Sequence, residues 1–109
     1  MKVLFSPEVQ HFYDELETVL YEKEYFAYEQ SAHEYVDDLI NDIINNLPEL
    51  RHKPAPKYYN KYGKALYYAT FTKSKRTQWY AFFSKYLEND ETVYLIRYLG
   101  NNHTEAHHL

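Results

Sequence analysis

The hydrophobic period of this chain changes once, near residue 65, and that change limits what the chain can fold into. Before it, apolar residues recur at helical spacing. Val9, Phe12, Tyr13, Leu16, Val19 and Leu20 form one stripe, with Asp14, Glu15 and Glu17 on the other side. Tyr35, Val36, Leu39, Ile40, Ile43, Ile44 and Leu47 form a second. A short apolar run, residues 2–6, precedes the first stripe and reads as a strand. Ser6 then stands as N-cap, Pro7 at the first helical position and Glu8 in the first turn, which predicts a helix to about Lys23. Ser31-Ala-His-Glu34 reads as a capping box opening the second helix, and Asn45, Asn46 and Pro48 close it. Residues 25–30 are aromatic and read either as a helix extension or as a connector. Two amphipathic helices joined by a short link make an antiparallel hairpin.

Residues 49–64 carry Pro54, Pro56 and Gly63 and are expected to form an extended loop. Beyond it, residues 65–72, 77–87 and 92–99 are β-prone, separated by turn sequences at 73–76 and 88–91. Short turns make these an antiparallel meander. Gly100 ends the last strand and opens a polar tail over 100–109. The expected fold is α+β, in the order strand–helix–helix–strand–strand–strand. The helical hairpin packs on one face of a mainly antiparallel twisted sheet, in a single domain spanning 1–109.

Composition narrows the chemistry. The 109 residues include no cysteine, so disulfide scaffolds, thiolate zinc sites and cysteine nucleophiles are excluded. Only two glycines are present, too few for Gly-rich phosphate loops. No membrane span and no secretory leader are evident, so the expected compartment is the cytoplasm. Aromatics reach 19%, with 14 Tyr against one Trp. The net charge of −4 conceals an uneven distribution: residues 1–50 hold 12 acids and 2 bases, residues 51–109 hold 10 bases and 4 acids. From 51 to 87 there are nine bases and no acid. A basic tract interleaved with aromatics suits a nucleic-acid contact, and equally suits a solvated sheet face balanced by acidic helices.

The element order and three local strings resemble the RelE/ParE superfamily of bacterial type II toxins. The strings are the opening Val3-Leu-Phe-Ser-Pro-Glu8, the strand Arg76-Thr-Gln-Trp-Tyr-Ala-Phe-Phe83, and the ending Tyr94-Leu-Ile-Arg-Tyr-Leu-Gly100-Asn-Asn-His103. The resemblance implies a ribosome-dependent mRNA endoribonuclease in which the ribose 2′-OH attacks the adjacent phosphate, with neither metal nor cofactor. It also implies a cognate antitoxin as partner, and the ribosome and mRNA as targets. The alternative within the same fold is a non-catalytic protein binder, either a gyrase-inhibiting toxin or a degenerate interaction module.

Carried onto this sequence, the resemblance gives Arg76 the scissile phosphate and gives His107 or His108 the acid or base role. Lys57, Lys61, Lys64, Lys73 and Lys75 would steer nucleic acid, and Tyr80 would stack on bases. The plainer readings are an Arg76 paired with a carboxylate of the next hairpin and a frayed tail. Two departures from the family pattern favour the non-catalytic alternative: the strand at 65–72 carries no charge, and the first half of the chain is acidic. His103, His107, His108 and Glu105 would converge on a metal only in a helical tail, and no metal site is expected. The acidic face of the first helix reads as solvated. Tyr58, Tyr59 and Tyr62 in the Pro-bearing loop are better placed for a partner or RNA than for the core.

Overall fold

Five strands in the order β1-β5-β4-β3-β2 form one sheet over the residues described in the computed structural model, 1–22 and 29–109. β1 (Lys2–Phe5) runs parallel to β5 (Glu91–Asn101), with Val3 opposite Tyr94 and Phe5 opposite Ile96. The other pairings, β5 with β4 (Gln78–Glu88), β4 with β3 (Tyr67–Thr72) and β3 with β2 (Lys53–Pro54), are antiparallel. The expected α+β layout is therefore the one observed. The β4–β5 hairpin turns on Asn89 and Asp90, both at positive φ (51° and 63°), as a two-residue hairpin turn requires.

Ser6 leaves β1 and caps α1 (Pro7–Glu22): its Oγ accepts from Val9 N at 3.3 Å, while its own N–H donates to Ile96 O. α2 (Glu29–Asn46) begins two residues before Ser31, so the predicted capping box lies inside the helix rather than at its start. Glu29 and Gln30 belong to α2, whereas Lys23 and residues 25–28 lie outside the described residues. Asn46 ends α2 as expected, and Pro48 turns the chain through a 3₁₀ turn, Leu47–Glu49.

The two helices cover one face of the sheet. Val9 and Leu16 of α1 and Val36, Leu39 and Ile43 of α2 pack on Ala69, Phe71, Trp79, Ala81, Phe83, Tyr94, Ile96 and Leu99. Trp79 Nε1 donates to the Tyr35 hydroxyl at 2.9 Å, which satisfies the indole under α2. His52, near the start of the Pro-bearing segment, sets its ring edge against Phe83 (4.8 Å) and Tyr94 (5.7 Å).

The opposite face is also covered, and here the expected loop and tail need correction. Within 49–64 the chain forms β2 and a 3₁₀ turn, Lys57–Lys61, with Tyr59 fully buried. Tyr59, Leu66 and Phe82 make a second core against which Tyr62, Tyr68, Tyr80 and Tyr98 pack. The last strand runs past Gly100 to Asn101. The tail then folds as a helical turn, α3 (Asn102–Glu105), and a 3₁₀ turn, Ala106–His108. No helix among the described residues is long and apolar enough to cross a membrane.

This layering sorts the charge. α1 and α2 contain no Lys or Arg, while Glu8, Asp14, Glu15, Glu17 and Glu22, with Glu34, Asp37, Asp38 and Asp42, lie along them. Lys53 pairs with Tyr68 on the far face, and Lys57 and Lys61 ride on the turn covering that face. The separation is incomplete: Lys73 sits over the Tyr35 ring at 5.2 Å and Lys85 over Tyr94 at 5.9 Å, both on the helical side.

His33 joins the hairpin, with Nδ1 2.6 Å from Glu17 on α1 and Nε2 3.1 Å from Asp37 one turn on. The Glu17 hydrogen bond, then the Asp37 charge, raise its pKa above 6.5. A raised folded-state pKa gives stability that is complete below the unfolded value and lost as pH rises through the folded one. The urea midpoint of the wild type is therefore expected to decline from pH 6.5 upward. His33→Gln should flatten that segment, and identical profiles for the two proteins would show that the pair contributes nothing.

Candidate functional site

The far face is organised around a carboxylate. Glu105, only 4% exposed, sits where α3 folds back over β5. Tyr59 donates to its Oε1 and Tyr98 to its Oε2, each at 2.9 Å. The Thr104 hydroxyl lies 2.9 Å from Oε2 and 3.2 Å from Asn101 O, and its single proton serves one of them at a time. Burial and the hydrogen bond to Glu105 push both phenol pKa values well up, so Tyr59 and Tyr98 stay protonated as donors. Tyr59 also lies on Phe82 at 4.1 Å, and Tyr62 lies flat on Tyr98 at 4.0 Å.

The local sequence explains the fold-back. Asn101 accepts from His103 N and Thr104 N and so caps α3. Asn102 reaches across to β4: its Oδ1 accepts from Gln78 N at 2.9 Å and its Nδ2 donates to Arg76 O at 3.0 Å. Gly100 leaves room for Glu105, since a Cβ there would stand 2.6 Å from Glu105 Cγ. An Asn followed by an acid one turn on is the sequence signal that would have identified this helical turn.

This anchoring sets the histidines. His108 stacks on Tyr58 at 3.6 Å with 9° between the rings, and His107 lies 3.8 Å from it. Lys61 places its Nζ 4.0 Å above the same Tyr58 ring. Tyr58 and then Tyr62, with Glu105 further off, raise the Lys61 pKa. His108 moves the other way: burial first, then His107, lowers its pKa below 6.5, leaving a neutral imidazole near pH 7.

The sequence-predicted residues divide into two groups. His107, His108 and Lys61 come together around Tyr58, with exposed Lys57 on the same turn and exposed Lys64 just beyond it. Arg76 is exposed two residues before β4. Its backbone is fixed by Ser74 Oγ and Asn102, but among the described residues its side chain makes no hydrogen bond, ion pair or ring contact with either histidine. Nor does it pair with a carboxylate of the next hairpin. Lys75 is exposed in the same turn, and Lys73 points to α2. Tyr80 lies on the far face between Thr70 and Gly100, edge-on to Tyr68 at 6.0 Å, and burial raises its pKa.

Of the loop tyrosines only Tyr58 is exposed; Tyr62 is half-buried against the second core, and Tyr59 is core. No local signal marks Tyr98 or Asn102, and Glu105, which the sequence offers only as a metal ligand in a helical tail, is instead the acceptor for two phenols. Glu105 is committed to two phenols, and among the described residues no three His, Asp or Glu side chains converge as metal ligands. Comparison with protein-family models, with curated proteins and with solved structures returned no match for the chain.

Gly100→Ala should push Glu105 off its phenols and cost about 1–3 kcal/mol, the range for an overpacked interior site. Urea unfolding reads that loss, and amide exchange at residues 103–108 should quicken. Tail exchange at the wild-type rate in this variant would mean that Glu105 does not hold the tail.

Proposed function

We propose that this chain is a toxin of the RelE/ParE kind, an mRNA endoribonuclease that acts on the ribosome without a metal and is covered by a cognate antitoxin in the cytoplasm. One observation carries the reading: a neutral-leaning His108 imidazole is stacked on Tyr58 beside the Lys61 ammonium, on the face away from the acidic helices. A neutral imidazole is what a general base at pH 7 requires.

In the proposed reaction His108 accepts the ribose 2′-OH proton as the 2′ oxygen attacks phosphorus. The bond from phosphorus to the 5′ oxygen breaks, leaving a 2′,3′-cyclic phosphate. His107, its ring next to His108, returns a proton to the leaving 5′ oxygen. Arg76 and Lys61 take the charge that builds on the phosphoryl oxygens. Arg76 meets the phosphate only with RNA bound, since no contact joins it to the histidines in the free protein. Lys57, Lys64 and Lys75 add steering, whereas Lys73 faces α2, and Tyr80 with Tyr68 offers a stacking surface.

The second reading, a non-catalytic protein binder, is favoured by β3, the strand before Arg76, whose far face of Tyr68, Thr70 and Thr72 carries no charge. A gyrase-inhibiting toxin is the form of it that makes a separate prediction.

Adding the protein to a translation extract and mapping mRNA ends by primer extension separates the two readings. Cuts at A-site codons are expected, falling about 10²–10⁴-fold for His108→Ala and about 10²–10³-fold for Arg76→Ala. Intact mRNA in the wild-type reaction, with gyrase supercoiling blocked in a parallel assay, would replace the endoribonuclease with the gyrase-inhibiting reading.

A further inference from the structure

β5 contains an irregularity that re-aims one of its side chains. Phe82 pairs with Tyr98 and Phe83 with Ile96, so Arg97 is an extra residue opposite the Phe82/Phe83 step. In a regular strand Tyr98 would share the helical face with Ile96. The bulge instead puts Leu99 on that face and turns Tyr98 to the far one. β1 ends at Phe5, opposite Ile96, so residues 97–101 form an open edge of the sheet. Bulges at such edges commonly redirect a side chain toward a site.

A cavity of about 360 Å³ opens at this edge, between the start of α1 and the turn that carries Lys61. That size lies at the lower end of small-molecule sites, roughly 300–1,000 Å³. Arg97 and Lys61 line it with Tyr62, Tyr98, Phe12 and Glu8. Arg97 is exposed and makes no hydrogen bond or ion pair among the described residues. Tyr62 is already stacked on Tyr98 with 6° between the rings, so its outer face extends an existing aromatic stack.

We infer that this cavity binds one nucleotide of a single-stranded RNA, its base on Tyr62 and its phosphodiester between Arg97 and Lys61; the inference rests on the RNA-directed reading above. Two cations and the Glu8 carboxylate leave one positive charge in the lining, matched to the single negative charge of a phosphodiester. Base stacking on tyrosine and a planar guanidinium on phosphate are the two contacts single-stranded binders combine. Lys61 also stands over Tyr58, the ring that carries His108, so a strand held in the cavity leads toward that imidazole. Arg97 is thus a binding residue outside the acid-free tract, and Tyr62 a stacking residue.

The test is an amide-resolved NMR titration of the full chain with the dinucleotide ApA, with adenosine and inorganic phosphate as separate arms. Saturable shifts are expected at residues 8–9, 61–62 and 97–98, weakened about tenfold by Arg97→Gln, as for loss of a hydrogen bond to a charged group. Tyr62→Leu should weaken binding of ApA and of adenosine alike. No saturable shift at these residues, or binding unchanged in Arg97→Gln, overturns the inference. Inorganic phosphate binding as tightly as ApA reduces the cavity to an anion site and also overturns it. The primer-extension assay reads the broader proposal independently. ApA binding without mRNA cleavage keeps the site and removes the nuclease, and cleavage without ApA binding does the reverse.

Discussion

Ala81, Phe82 and Phe83, at the middle of β4, are all fully buried. Neighbouring residues on a strand face opposite ways, so this triplet demands cover on both sides of the sheet. On one side the helical hairpin supplies it with two continuous apolar stripes. On the other there is no third helix of comparable length among the described residues. Cover comes from two short segments, Lys57–Lys61 and Asn102–Glu105, neither long enough to hold its own shape in isolation. Tyr59 solves both problems: its ring lies flat on Phe82, and its hydroxyl ties the first segment to Glu105 of the second, 46 residues away.

Closing the lid with a carboxylate has consequences that an apolar closure would not. A buried charge is costly unless hydrogen-bonded, and no Lys or Arg among the described residues comes within ion-pair distance of Glu105. Tyr59 and Tyr98 carry the compensation, and a bond to a charged partner is worth about 1.5–3 kcal/mol net. Those bonds are directional, so the tail is fixed in one geometry rather than merely collapsed on the sheet. The ring of His108, three residues beyond Glu105, inherits that geometry, and Tyr58 holds it from the other side.

Helical stripes and strand runs were legible in the sequence because each has a period. Although Phe12, Val19 and Ile44 of the two stripes are exposed, the Ser6 cap, the three long strands, the turn at 73–76 and most of the buried faces of α1 and α2 follow from spacing and end signals. The start of α2 did not, because Ser31 and Glu34 satisfy a capping pattern wherever they fall and helical residues precede them. The two lid segments are illegible for a different reason. A 3₁₀ turn and a four-residue helix are too short to show a period, and what fixes them is the long-range pairing of Tyr59 with Glu105. Residue type alone suggested that Tyr59 faces a partner and that the tail is merely polar; burial reverses both. Arg97 is not legible in the sequence because the bulge that exposes it depends on strand register, which no local window contains.

The topology also decides what the net charge means. A chain at −4 would ordinarily repel a polyanion, and its acids are concentrated on α1 and α2. Those helices sit across the sheet from Lys53, Lys57 and Lys61. A layer separation near 10 Å already exceeds the Debye length of about 8 Å at physiological salt, so the acids are largely screened where these cations face solvent. Glu105, the acid on the basic side, is enclosed and bonded to phenols. The potential met by a ligand on the far face is therefore set by nearby lysines and Arg97, with Glu8 as the opposing charge at the edge. The bulge matters here because it adds a guanidinium at the C-terminal part of β5, which β1 leaves open, and without it the aromatic stack of Tyr62 and Tyr98 would not form beside Lys61.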